Sequence, residues 1–173
     1  EVAWERRSEH LSELPRFGMR MILPHDHKNL LFYGRGPWEN YSDRNESSFI
    51  GLYEQSTDEQ LFPYVRPQES GNKTGVRYWK VLNPQGKGLE FEGTEPLEMK
   101  SLNYTDEDLF SGPVKHHTQR HSGDLTPRPF TVVSIAAREM GVGCVNSWGA
   151  WPRAEYQMPY KDYKYTFIIT PVR

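Results

Sequence analysis

The chain has 173 residues, of which 36% are hydrophobic, 25% charged and 13% aromatic, with 21 Lys and Arg against 23 Asp and Glu. That length suits one domain or part of a larger one, and a formal charge of −2 gathers no surplus of cations for a phosphate backbone or an anionic lipid surface. Apolar runs such as 132–137 and 167–170 fall far short of the ~20 residues that cross a bilayer, so neither nucleic acid nor membrane is expected as a partner. Residues 1–13 are charged and uneven and read as a lead-in or linker stub, with 14–173 as a single domain. Alternating or short continuous apolar runs, separated by Gly, Pro, Asn and Asp clusters, predict strands over 16–23, 29–33, 49–54, 75–82, 89–92, 97–102, 130–138, 141–145 and 163–170. In the run ending at Leu82, Val76, Tyr78, Lys80 and Leu82 alternate with Gly75, Arg77, Trp79 and Val81, as suits a strand packed on both faces. Asn83-Pro84-Gln85-Gly86-Lys87-Gly88 is turn chemistry and joins its neighbours as a hairpin. One short helix is predicted where Thr105 caps Asp106-Glu107-Asp108, ending by Gly112-Pro113. The expected fold is all-β, an antiparallel β-sandwich with at most one short helix.

Three stretches, 34–45, 56–72 and 146–162, are too long for plain hairpins, and long ordered loops on a rigid scaffold are where binding residues sit. Few of the usual chemistries fit. Gly34-Arg35-Gly36 is half a dinucleotide fingerprint, with Pro37 where a helix would have to open. His117 and His121 stand four apart without the intervening Glu of a zincin, and His25-Asp26-His27 reads as a hairpin tip, so no metal site is predicted in this chain. The single cysteine, Cys144, reads as a small apolar residue and leaves the compartment open. There is no Gly-x-Ser-x-Gly elbow. Glu39, Glu69 and Glu155 lie in the loops and are the candidates for a glycosidase pair, but loop carboxylates more often cap turns or bind neighbouring arginines. No catalytic residue is therefore assigned here. Arg35, Glu39, Arg44, Arg66 and Glu69 are instead expected to organise the loops by interlocking Arg–carboxylate contacts.

Aromatic residues carry more information. Trp38, Tyr41, Tyr53, Tyr64, Trp148, Trp151, Tyr156 and Tyr160 concentrate in or beside the three loops. Flat ring faces flanked by hydrogen-bonding groups suit sugars, although most such rings plug the ends of a sandwich. Trp148 stands between the small residues Ser147 and Gly149 and is the candidate for a projecting indole.

Four blocks together point to a family. Leu14-Pro15-Arg16-Phe17-Gly18-Met19, then Tyr33-Gly34-Arg35-Gly36-Pro37-Trp38-Glu39-Asn40-Tyr41-Ser42-Asp43-Arg44, then Pro63-Tyr64-Val65-Arg66-Pro67-Gln68-Glu69-Ser70-Gly71-Asn72, and Ser147-Trp148 with Ala154-Glu155-Tyr156 occur in order. This pattern resembles the C-terminal domain of large β-galactosidases of glycoside hydrolase family 2, which in two-chain forms is the small subunit. The resemblance implies a supersandwich similar to galactose mutarotase, and retaining hydrolysis of terminal β-galactosides by the parent enzyme, an oligomer. It places both catalytic glutamates, with Mg or Na sites beside them, in a separate (β/α)₈ barrel, so that this chain's partners are the remaining domains and a galactoside. It implies further that Trp148 contacts the leaving or acceptor sugar, with Trp151 as a second stacker and Asn146 beside them.

Two departures from the family pattern stand out. Val145 and Asn146 precede the Ser-Trp pair where acidic residues are common, and the family's domain extends further on its N-terminal side, so the chain reads as a C-terminal fragment of that domain with an open sheet edge. A stand-alone carbohydrate-binding or mutarotase-like module is the rival reading. It would use the Arg35, Glu39, Arg66 and Glu69 loops as its own sugar pocket, with His117 or His121 and Glu69 as acid and base.

Overall fold

The computed structural model describes residues 1–5, 13–110, 121–143 and 149–173. Within them lie β1 (Val2–Trp4), β2 (Arg16–Pro24), β3 (Asn29–Gly36), β4 (Phe49–Ser56), β5 (Lys73–Leu82), β6 (Gly88–Leu102), β7 (Phe130–Glu139), β8 (Tyr163–Tyr165), β9 (Phe167–Val172) and one helical turn, α1 (Asp106–Leu109). The fold is all-β and antiparallel, a β-sandwich in type, as the sequence predicts. The large sheet runs β2-β7-β6-β5-β3-β4, with β9 also on β6, and β1 pairs with β8 in a small second sheet. Thr105 caps α1, its hydroxyl accepting from the Asp108 amide while the Asp108 carboxylate accepts from the Thr105 amide.

Several elements differ from the prediction. The expected strands 89–92 and 97–102 are one continuous strand, β6, that changes partner midway. Gly88–Gly93 pairs with β9, whereas Glu98–Leu102 pairs with β7. Gly93 and Pro96 flank the change: a Cβ at Gly93 would lie 2.2 Å from the Glu95 carbonyl oxygen, and Pro96 donates to no ladder. In β5 the register shifts around Val76, so Val76 shares the buried face with Trp79 and Val81, not with Tyr78 and Lys80. The last predicted strand splits into β8 and β9 at Thr166, whose carbonyl accepts from the Thr94 amide. Residues 2–4, for which the sequence predicts no strand, form β1 on β8. Gly141–Gly143 lies outside any strand, and the remainder of the predicted strand 141–145 lies outside the described residues.

The core is one face of the large sheet. Tyr53, Phe32, Trp79 and Phe91 are successive cross-strand partners on β4, β3, β5 and β6. Phe32 stacks on Trp79 at 4.5 Å between ring centroids and lies 5.3 Å from Tyr53. The fully buried indole of Trp79 donates to the Ser101 hydroxyl at 2.9 Å, which removes the cost of hiding its N–H. Leu23, Leu30, Val76, Val81, Leu97, Met99, Val133 and Ile135 complete the buried cluster, each contributing about 1.5–3 kcal/mol by leaving water.

Candidate functional site

Side chains alternate faces along a strand, so the residues next to this core point to the other side. Lys100, beside Met99, faces Ser134 on β7, which in turn faces Arg20 on β2. There Arg16 Nε lies 3.0 Å from Glu139, its Nη2 2.9 Å from Asp106, and its Nη1 donates to the Ser134 hydroxyl. Lys100 Nζ donates to Glu69 at 2.6 Å and to Asp106 at 3.1 Å. Against the burial of Asp106, Lys100 and then Arg16 hold its carboxyl below the ordinary range. Glu139 is raised, by burial and then by Glu69 nearby, and its Oε2 has no partner among the described residues. Burial pushes Glu98 up to about 8.

Above this cluster the loops 34–45 and 56–72 lock together through two residues. Asn40, fully buried, uses its whole amide: Nδ2 donates to the Arg35 and Trp38 carbonyls, and Oδ1 accepts from the Thr74 amide and hydroxyl. Its backbone amide donates to the Asn72 carbonyl, and Asn72 Nδ2 returns a bond to the Asn40 carbonyl and another to Glu98. Glu39 is the second: Oε1 accepts from Arg44 at 2.9 Å and from the Tyr64 hydroxyl, and Oε2 accepts from the Gly71 amide at 2.8 Å and the Ser70 hydroxyl at 3.2 Å. The Arg44 guanidinium lies over the rings of Tyr41 and Tyr64. Tyr41 is buried, and its hydroxyl, raised by that burial and then by Glu69, points to Glu69 at 3.4 Å.

The remaining candidates fall as follows. Arg35 donates to the Ser48 carbonyl at 2.8 Å and, among the described residues, meets no carboxylate, so the Arg–carboxylate contact expected of it does not form there. Arg66 lines a shallow cleft with Arg44, Tyr64, Gln68 and Glu69. Glu155 is exposed, its carbonyl accepting from Arg138. His121 Nδ1 is 2.9 Å from the Val65 carbonyl oxygen, and His27 Nδ1 is 2.8 Å from Asp26 at the β2–β3 turn. Trp151 is 56% exposed. Trp148, Asn146, Cys144 and His117 lie outside the described residues. Asp43 anchors the backbone just before Cys144: its carboxylate accepts from the Val142 amide at 3.2 Å and the Gly143 amide at 2.7 Å. Gly141 makes that approach possible, since a Cβ there would stand 2.5 Å from Asp43 Oδ2. Asn40, Asp43, Lys73 and Lys100 are absent from the sequence-derived candidates. The signal available for Asn40 and Asp43 was their place inside the motif block; Lys100 sits in a predicted strand run and Lys73 between the predicted loop 56–72 and strand 75–82, places where a lysine reads as solvent-facing.

Residues 1–169 match the family described as "Beta galactosidase small chain". The chain is 37% identical over 166 residues to a β-galactosidase of Halalkalibacterium halodurans, covering 95% of this chain and 16% of that protein. It is 34% identical over 166 residues to one of Priestia megaterium and 31% identical over 164 residues to one of Streptococcus thermophilus, covering 95% and 94% of this chain and 15% of each relative. It thus spans about one sixth of the length of these relatives, which places the motif blocks and the loops they build in a defined lineage: the chain belongs to the β-galactosidase small-chain family.

Proposed function

We propose that the chain is the C-terminal domain of a β-galactosidase of glycoside hydrolase family 2, an enzyme that removes terminal non-reducing β-D-galactose from β-galactosides. The match to relatives that carry that name, over 95% of this chain but 16% or less of theirs, carries this reading. In it, the two catalytic glutamates and any Mg or Na belong to a separate barrel, and the isolated chain is inactive. Its partners are the remaining domains, within a homo-oligomeric parent. Exposed apolar residues on the edge strand β4, Phe49 and Leu52, supply a surface for such partners.

The chain's contribution to the site is Trp148, held at the barrel mouth to stack on the leaving or acceptor sugar, with Trp151 and Asn146 close in sequence. Arg35, Glu39, Arg44, Arg66 and Glu69 organise the loops behind it, and the Asp43 clamp fixes the backbone from which residues 144–148 start. The binding of Glu69 by Lys100 counts against a mutarotase-like acid/base role for that carboxylate. In the full-length enzyme Trp148→Ala is expected to weaken binding of the leaving or acceptor sugar and to alter the ratio of hydrolysis to transfer, with little change in melting temperature. A large fall in melting temperature without a kinetic change would overturn the role given to Trp148.

A further inference from the structure

Between the two interlocked loops lies a cavity of about 410 Å³, in the size range of small-molecule sites. Trp38, Glu39, Gln55, Gln60, Phe62 and Lys73 line it, with Glu59 at its side. Its rings are unusual for loop aromatics in being open: Trp38 is 68% exposed and Phe62 46%, whereas Tyr41 in the same block is buried. Its cation is unusual in the opposite sense. Lys73 is 1% exposed, yet its ammonium has no carboxylate within salt-bridge reach among the described residues. It donates to Gln60 Oε1 at 2.9 Å and, at 3.4 Å, to the Gly71 carbonyl, leaving one of three N–H bonds without a protein acceptor among the described residues. Gln55 accepts from Gln60 Nε2 through Oε1, and its own amide N–H groups meet no acceptor among those residues. A buried ammonium with a spare donor is costly unless something polar completes it.

The charges around the cavity say what that group is. Glu39 and Glu59 both line it, against the single positive charge of Lys73. The carboxylate oxygens of Glu39 are taken up by four donors, and Glu59 accepts from the Ser56 amide at 2.7 Å. An anion would meet two carboxylates, so the complementary ligand is neutral, rich in acceptor oxygens, and flat and apolar on one face. We propose that this cavity is a binding site for a neutral pyranose, stacked on the Trp38 indole with its hydroxyl oxygens accepting from Lys73 and Gln55. This assignment uses no residue of 144–148 and does not depend on the role given to Trp148.

The natural protein labelled with 5-fluorotryptophan provides the test, with the Trp38 line in the fluorine spectrum identified by its loss in Trp38→Phe. Methyl β-D-galactopyranoside and methyl β-D-glucopyranoside are the probes. The Trp38 line is expected to shift saturably at millimolar sugar while the line of buried Trp79 stays fixed, and the midpoint to rise at least tenfold in Gln55→Ala. Trp79 also reports whether that variant has kept its fold; Lys73→Arg, which retains the cation in a different shape, is the second variant, and the same weakening is expected. A Trp38 line that does not move, that moves equally in both variants, or that responds more strongly to galacturonate than to the neutral sugars overturns the proposal.

Discussion

On one face of the large sheet, Tyr53, Phe32 and Trp79 meet ring to ring, with buried Phe91 as the next cross-strand partner; on the other, Arg16 and Lys100 meet Glu69, Asp106 and Glu139 charge to charge. The apolar face is held by a force without direction and scales with the area removed from water. Close packing there fixes shape, but it does not specify where a loop is placed. The polar face and the loops above it work by directed bonds, in which each donor has one acceptor and a shift of an ångström breaks the set. This difference explains what positions the long loops beyond the burial of Tyr41: Asn40 and Glu39 are wired into chain 30 or more residues away. The stable part of the molecule is apolar, and its specific part is polar.

The apolar face is most sensitive at its centre. Trp79→Ala opens a cavity against the Phe32 ring in the middle of the core and strands the Ser101 hydroxyl, and is expected to cost about 3–5 kcal/mol in a denaturant melt. On the polar side Asn40→Ala leaves the buried Thr74 amide and two loop carbonyls unpaired, with an expected cost of about 3 kcal/mol. The two should differ in kind. Loss of Trp79 lowers protection from hydrogen exchange throughout the sheet, whereas loss of Asn40 is expected to open residues 37–45 and 70–74 before the strands. Uniform loss of protection in both variants would erase the distinction between the faces.

Much of the apolar face is legible in the sequence, because period-2 runs and turn residues report local geometry directly. The strands at 16–23, 29–33, 49–54 and 130–138 and the capped turn at Thr105 all form. The continuity of β6 was hidden because Pro96 and Gly93 read as a break, while in the fold they mark a change of neighbour. The bulge in β5 was hidden because a register shift leaves no mark on composition. The wiring of the loops was less legible still. Glu39 and Arg44 are near in sequence and their contact could be anticipated, but Glu69 with Lys100, Asn40 with Thr74 and Asp43 with Gly143 join residues 31, 34 and 100 positions apart. Such pairs follow from the fold and precede no local pattern. The buried Lys73 is the plainest case, since nothing around it in the sequence distinguishes it from a surface lysine.

Acidity separates the faces next. Glu98, whose folded-state value of about 8 stands above the 4.5 of an exposed glutamate, and Glu139, raised likewise, bind protons in the folded chain that the unfolded chain has released. Between about pH 4.5 and 8 the folded state therefore holds more protons, and stability falls as pH rises through that window, by up to ~1.4 kcal/mol per pH unit for each group. Glu98→Gln keeps an acceptor for Asn72 and cannot ionise. It is expected to be more stable than the natural chain at pH 7 by about 1–3 kcal/mol, with the gap closing towards pH 4.5. Urea midpoints across the range give the answer, and a gap that does not change with pH would show that Glu98 is not the titrating group.

The smallest effect lies where the polar face meets solvent. Asp108 closes the capping box of α1 and pairs with Arg128, and that hydrogen bond, above all, holds its carboxyl down to about 2. Its sign is opposite to that of Glu98: a lowered carboxyl stabilises the fold above the ordinary aspartate range and loses that contribution as pH falls towards 2. Arg128 is half exposed, so water competes for the pair and reduces what it adds to stability, while the Thr105 amide makes a second bond to the same carboxylate. Asp108→Ala, which removes the cap acceptor together with the pair, is therefore expected to cost only about 0.5–1 kcal/mol at pH 7 and progressively less below pH 4. Arg128→Ala, which leaves the cap in place, should cost less than Asp108→Ala at pH 7. If instead the two substitutions cost the same and a double mutant adds nothing, the ion pair and not the cap carries this end of the helix, and directed bonding on the polar face extends to its wet margin.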